Sequence, residues 1–145
     1  VDMIIKQLSI FVENKAGRMA EVTEILANNN IDIRALSIAD TTDYGILRLI
    51  VNNPQKALDA LKAASITVTL TGVIAIAIPD QPGGLARAIK VLSDRQISIE
   101  YMYAFLNPNN ATAFVILRVE DNDKALQALQ DGNIRIMKES EIYEI

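Results

Sequence analysis

At 145 residues and a net charge of −4, half apolar and with neither cysteine nor histidine, the chain reads as a folded globular protein. The missing side chains exclude disulfides, thiolate nucleophiles, histidine bases and thiolate or imidazole metal sites. The acidic balance speaks against a nucleic-acid surface, no apolar run approaches the roughly 18 residues of a membrane span, and no signal-like stretch opens the chain, so a cytoplasmic protein is expected.

Ile4, Leu8, Ile10 and Val12 alternate with Ser9, Phe11 and Glu13, which predicts a half-buried strand. Asn14–Gly17 turns the chain, and Arg18–Asn28 carries Met19, Val22, Ile25 and Leu26 at helical spacing. Asn28-Asn29-Asn30 stops that helix. A strand follows at Ile31–Ala39, a hairpin turn at Asp40-Thr41-Thr42-Asp43 and a third strand at Tyr44–Val51. Asn53-Pro54 is a helix start, a capping side chain followed by proline at the first helical position. That helix carries Ala57, Leu58, Leu61 and Ala64, and Ile66–Leu70 is a fourth strand. Beyond Thr71-Gly72 the order returns: strand Val73–Ile78, helix Gly84–Asp94, strands Ile97–Leu106 and Ala113–Glu120, helix Asp123–Gln130 capped by Asn122 and ended by Gly132, and strand Ile134–Lys138. Glu141–Ile145 reads as a further short strand.

The return is a repeat. Gly17 and Gly83, Ile31 and Ile97, and Ile33 and Ile99 share one offset. The offset grows by four at Arg48 and Arg118 and shrinks by two at Lys56–Leu58 and Lys124–Leu126. The growth falls at the turn formers Asn107-Pro108-Asn109-Asn110, where length varies most freely. Two βαββαβ units follow, an α+β class: tandem ferredoxin-like units, each an antiparallel sheet with its helices on one face. Ala113, Val115, Leu117 and Val119 mark one face of a strand, yet Phe114 and Ile116 stand on the other. Ile46 and Ile50 likewise oppose Leu47, Leu49 and Val51. Either these are scattered apolar residues or the helix-free faces are covered.

The strand–loop–helix junctions at Asn14–Ala20 and Asp80–Ala86 are the candidate sites. A glycine permits a sharp turn and close approach of a ligand. The amides after it are unpaired donors at a helix N-terminus, where an anion is favoured. Asn14 or Asp80 offers oxygens to an ammonium. An α-amino acid zwitterion requires both. The bland alternative is a loop glycine and a turn cap.

Asp80-Gln81-Pro82-Gly83-Gly84-Leu85, with Leu92 and then Ile97-Ser98-Ile99, resembles the ACT domain, whose members carry a D-x-P-G-x-L loop and a G-I-N-I-like second strand. The first copy matches with Asn14, Ala16, Gly17, Arg18 and Met19 in the loop and Asn30-Ile31-Asp32-Ile33 at the strand start. The resemblance covers the whole chain, with ACT-like domains at residues 1–71 and 72–145. It implies a stand-alone tandem ACT protein that binds a small molecule, usually an amino acid, without catalysis or cofactor. It further implies a homo-oligomer, such as a dimer, with a regulated enzyme or transcription factor as possible partner. In the family the ligand lies between a glycine loop and the second strand of a neighbouring domain. By that analogy Asn14, Ala16, Gly17, Arg18 and Met19 face Ile97, Ile99 and Tyr101. Asp80, Pro82, Gly83, Gly84 and Leu85 face Ile31 and Ile33. The closer match of the second loop makes it the better candidate, and Arg18 reads more simply as a solvated helix-start arginine than as a carboxylate clamp.

Three other classes compete. An acylphosphatase-like enzyme shares the frame, but no phosphate-cradling loop precedes Arg18 and no acidic pair falls on one face. An RNA-binding platform of Tyr101, Tyr103 and Phe105 has the wrong charge around it, and those rings run in phase with Ile97 and Ile99, which points to packing. A dimerisation module with degenerate loops differs from a sensor in one observable: no amino acid would stabilise it.

Overall fold

A computed structural model of the chain describes residues 3–40, 43–106 and 111–143. The elements run β1 (Ile5–Glu13), α1 (Arg18–Asn28), β2 (Ile33–Asp40), β3 (Tyr44–Val51), α2 (Pro54–Ala63), β4 (Val68–Pro79), α3 (Gly84–Ser93), β5 (Ile99–Leu106), β6 (Thr112–Val119), α4 (Asn122–Asp131), β7 (Arg135–Ile136) and α5 (Glu139–Tyr143). The hairpin residues Thr41-Thr42 and the turn Asn107-Pro108-Asn109-Asn110 lie outside the described residues. Contacts divide the chain into a first unit, Lys6–Thr71 with Tyr143, and a second, Gly72–Ile142 with residues 3–5.

Each unit is a βαββαβ ferredoxin-like fold. The first orders its strands β2-β3-β1-β4, and the second β5-β6-β4-β7, so the same arrangement occurs twice. Leu8 pairs with Leu49, Leu36 with Leu49, Ile74 with Leu117 and Met102 with Leu117, all antiparallel. The helices cover one face because the alternating strand positions and the helical stripes meet there. Leu8, Ile10, Val12, Leu47 and Leu49 pack with Val22, Leu26, Ala57 and Leu61 in the first unit. Ile74, Ile76, Val115 and Leu117 pack with Ala88, Leu92, Ala125 and Leu129 in the second. Burial of one such side chain stabilises by about 1.5–3 kcal/mol.

The strands on either side of Thr71-Gly72 run together, as so short a linker leads one to expect, as β4 from Val68 to Pro79. Two details depart from the sequence reading. Asp121, not Asn122, caps α4, its Oδ1 accepting from the Lys124 amide at 3.2 Å. Gly132 ends α4 as expected, at φ −85°, and the left-handed residue is Asn133 at φ 59°. Glu141–Ile145 is not a strand where it is described; Glu139–Tyr143 is helical. There Glu141 Oε1 accepts from the Lys138 amide at 3.1 Å, the back-reaching half of a capping box. That hydrogen bond, with Arg135 beside it, holds the Glu141 carboxyl below its ordinary range.

Some side chains on the helix-free faces are buried. Ile50 and Gln7 of the first unit and Ala75, Phe114 and Ile116 of the second are all buried. Gln7 Nε2 donates to Ser9 Oγ at 3.2 Å, and Ser9 shares a 2.9 Å hydrogen bond with Thr71. The paired hydroxyls satisfy what would otherwise be a costly buried amide.

Candidate functional site

The two glycine loops have one backbone. Gly17 sits at φ 89°, ψ −15° and Gly83 at φ 88°, ψ −13°, both left-handed, a region that costs a side-chain-bearing residue roughly 1–2 kcal/mol. Three hydrogen bonds repeat position for position. Lys15 N donates to Glu13 O (2.8 Å), Arg18 N to Lys15 O (3.3 Å) and Glu21 N to Gly17 O (3.0 Å). In the second copy Gln81 N donates to Pro79 O (2.9 Å), Gly84 N to Gln81 O (3.1 Å) and Arg87 N to Gly83 O (3.0 Å). The Asn14 amide is anchored on Asp43 O and the Asp80 amide on Ala111 O, at 3.0 and 2.8 Å. No side chain caps either α1 or α3, so the first-turn amides keep the anion-favouring end of each helix open.

The side chains diverge. In the first loop Lys15 pairs with Glu13 and Arg18 with Glu21, each at 3.0 Å. Lys15, by its hydrogen bond and its charge, holds the Glu13 carboxyl below the ordinary range. Arg18 is thus engaged along its own helix. In the second loop Pro79, Gln81 and Gly84 take those places. Gly84 is required sterically: a Cβ there would run into the Pro79 carbonyl oxygen. Asp80 and Pro82 are exposed, as is Ala16, and Leu85 and Met19 stand 37% and 38% exposed at matching helix starts.

Each described loop borders a groove within its own unit. In the first, a 240 Å³ groove runs between the loop and the edge strand, lined by Asn14, Lys15, Met19, Ile38, Asp40 and Leu47. In the second, a 420 Å³ groove runs on the β7 side of the loop, past Pro82, Gly83, Gly84, Arg87 and Arg135. Ile38, Asp40, Arg87 and Arg135 are residues that loop-motif reasoning missed. Only the apolar Leu36 and Ile38 on a strand's outer positions hinted at the edge groove.

The second-strand residues are not free lining in their own units. Ile31 is buried in the first core and Ile33 packs against it; Ile97 and Ile99 pack against the second core. Ile97 also borders a small 180 Å³ depression with Ser98 and Glu100. Tyr101 does not share their face. Ile99 pairs with Val119 but Tyr101 with Arg118, across a register shift. The first copy shifts likewise between Ile33 and Ala35. An extra residue in one strand reverses the side-chain phase beyond it. The reading that put Tyr101, Tyr103 and Phe105 in phase with Ile97 and Ile99 is therefore corrected: the rings lie on the helix-free side, where Phe105 packs against Phe114 with centroids 5.2 Å apart.

Among the described residues no group of three His, Cys, Asp or Glu side chains could hold a metal ion. None of the described helices is long and apolar enough to cross a membrane.

A family model described as an ACT domain pair matches residues 3–145. The chain is similar to the crystal structure of protein BT0572 from Bacteroides thetaiotaomicron, at 45% identity and a TM-score of 0.94, over 99% of this chain and 98% of that one. It shares the fold of the ligand-free regulatory subunit of aspartate kinase from Thermus thermophilus, at 18% identity and a TM-score of 0.64, over 91% and 95% of the two chains. The corresponding subunit from Thermus flavus gives 16% and 0.63, over 91% and 94%. No curated protein matches the chain.

Proposed function

The chain belongs to the family of ACT domain pairs, and we propose that it is a cytoplasmic regulatory protein that binds an amino acid at its glycine loops. The observation that carries this reading is the loop geometry itself. Two left-handed glycines, at φ 89° and 88°, each deliver an uncapped helix N-terminus beside a strand-end Asn14 or Asp80. The amides suit a carboxylate and the Asp80 oxygens an ammonium. The second loop is the stronger binder, because its aspartate is exposed and its glycines carry no charged side chains across the approach.

The edge strands support a homo-oligomer. Leu36 and Ile38 on β2 and Met102 on β5 are 57%, 53% and 44% exposed, and unpaired edges bearing apolar side chains invite association. In that assembly a glycine loop meets the second strand of another copy of the chain, around Ile31 and Ile33 or Ile97, Ile99 and Tyr101. The signal passes to a partner enzyme or transcription factor, and the chain itself performs no catalysis.

A melting-temperature screen of ligand-stripped protein against the common amino acids tests this, since a ligand of the folded state raises stability by mass action. At least one amino acid raises Tm in the parent and fails to do so in Asp80→Ala, whose exposed side chain leaves the unliganded Tm unchanged. No shift with any of them at millimolar concentration leaves the dimerisation module as the reading.

A further inference from the structure

The groove on the β7 side of the second glycine loop has a chemistry of its own. We propose that it takes, once per chain, the carboxylate of a ligand with an apolar body against Arg87 and Arg135. The groove borders Pro82, Gly83 and Gly84 of the loop proposed above to hold an amino acid, but neither Asp80 nor a second strand lines it, so its ligand is recognised by arginines instead.

Arg87 stands one turn into α3, past the glycines. Its Nη2 donates to the Gly132 carbonyl at 2.8 Å, so the side chain spans the groove from α3 to the turn before β7. Among the described residues no carboxylate pairs with it, and a guanidinium with one neutral acceptor keeps donors and a full charge for an anion. Arg135 enters from β7, opposite Ala77, with one nitrogen given to Glu141 at 2.8 Å. The rest of the wall is mixed, with Ala77, Ile78, Pro82 and Ile134 apolar and Gln81 and Asn133 polar. A 420 Å³ cleft lined by apolar groups with a few convergent polar ones is the usual form of a small-molecule site. Glu141 neutralises Arg135 in part, so Arg87 is the main cation that the cleft offers in a chain of net charge −4.

The repeat supplies an internal control. The first unit has the matching groove, 480 Å³, on the same side of its own loop. There Glu21 stands where the second copy has Arg87, Glu13 where it has Pro79 and Thr67 where it has Arg135. Arg18 lines the first groove too, but it is paired with Glu21, and Glu13 is paired with Lys15. The backbone is kept, but the arginine of the first groove carries its own carboxylate where Arg87 has none among the described residues, so an anion is drawn to the second groove.

Nuclear magnetic resonance titration of ¹⁵N-labelled protein with 3-methylbutanoate, and with its neutral amide, tests the proposal. The acid, at tens of millimolar, is expected to shift the amides of Gly83, Gly84, Asn133 and Ile134 saturably, and the neutral amide is expected to leave them unmoved. Arg87→Gln weakens binding about tenfold or more, the scale of one charge-assisted hydrogen bond. Arg135→Gln, which keeps the Arg87–Gly132 bond, weakens it in the same direction. Asp80→Ala leaves it unchanged, which separates this site from the amino-acid site. Equal shifts by acid and neutral amide, no shifts at all, shifts centred on Glu13 and Glu21, or full binding by Arg87→Gln would each overturn the proposal.

Discussion

Gly84→Ala sets two physical effects against each other. Gly84 opens α3, where helix propensity alone favours alanine by about 1 kcal/mol. A Cβ at this position meets the Pro79 carbonyl oxygen, which is backbone, and no rotamer relieves the collision. Overpacking of this kind costs roughly 1–3 kcal/mol, so the substitution is expected to be destabilising by up to about 2 kcal/mol net. Gly83→Ala, next door, has open space around its Cβ and only the left-handed φ to oppose it, for a loss of about 1–2 kcal/mol from a wholly different cause. Urea denaturation followed by circular dichroism reads both. The Gly84→Ala midpoint should fall by up to about 1 M at unchanged slope. A midpoint equal to or above the parent's would refute the steric argument, and with it the claim that the second loop is built around a close approach the first loop lacks.

Two further outcomes follow from particular residues. Gln96 and Ser65 sit just past helix ends at φ 59° and 62°, where glycine is the unstrained choice. Gln96→Gly and Ser65→Gly should each stabilise by roughly 0.5–1 kcal/mol, while Asn30→Gly, replacing a residue already tolerant of that region, changes little. Asp131 accepts from Arg95 at 2.6 Å, and that hydrogen bond above all holds its carboxyl below the ordinary range. A lowered folded-state value means stability that is present above the unfolded carboxyl range and is lost as pH falls through the folded one. Arg95→Gln should therefore lie below the parent in stability at neutral pH and converge with it in acid. A gap that persists at low pH would show that Arg95 acts by packing instead.

Periodicity made the two βαββαβ units legible, because amphipathic strands and helices announce themselves over eight or more residues. Local devices were not legible. One extra residue near Arg34 and one near Glu100 turn the second strands over, and no propensity marks a bulge of ordinary residues. Glu141-Ile142-Tyr143 alternates like a strand. Its helical state follows from the Glu141 carboxylate capping the Lys138 amide, from the Glu141 and Ile142 amides donating to Lys138 O, and from the burial of Ile142. Thr71-Gly72 is legibly too short for a tether, but that the Gly72 carbonyl accepts from Arg118 and Asn122 at 2.9 and 3.3 Å is not legible.

The candidate site divides along the same line. A glycine loop can be read from spacing because its backbone conformation restricts the residue type, and Gly17 and Gly83 do share that conformation to within a few degrees. Charge around the loop obeys no such restriction, so the copies were free to diverge there. The first closes on itself through Glu13–Lys15 and Arg18–Glu21. Exposed ion pairs of this kind add little stability, but they fill the approach with partnered charge. The second keeps Asp80 exposed, and among the described residues no carboxylate pairs with its Arg87. Equal backbones with unequal charge mean that the two loops differ in what they attract rather than in whether they are formed. Exchanging Glu21 and Arg87 between the copies should therefore move anion affinity from one groove to the other and leave both loops folded.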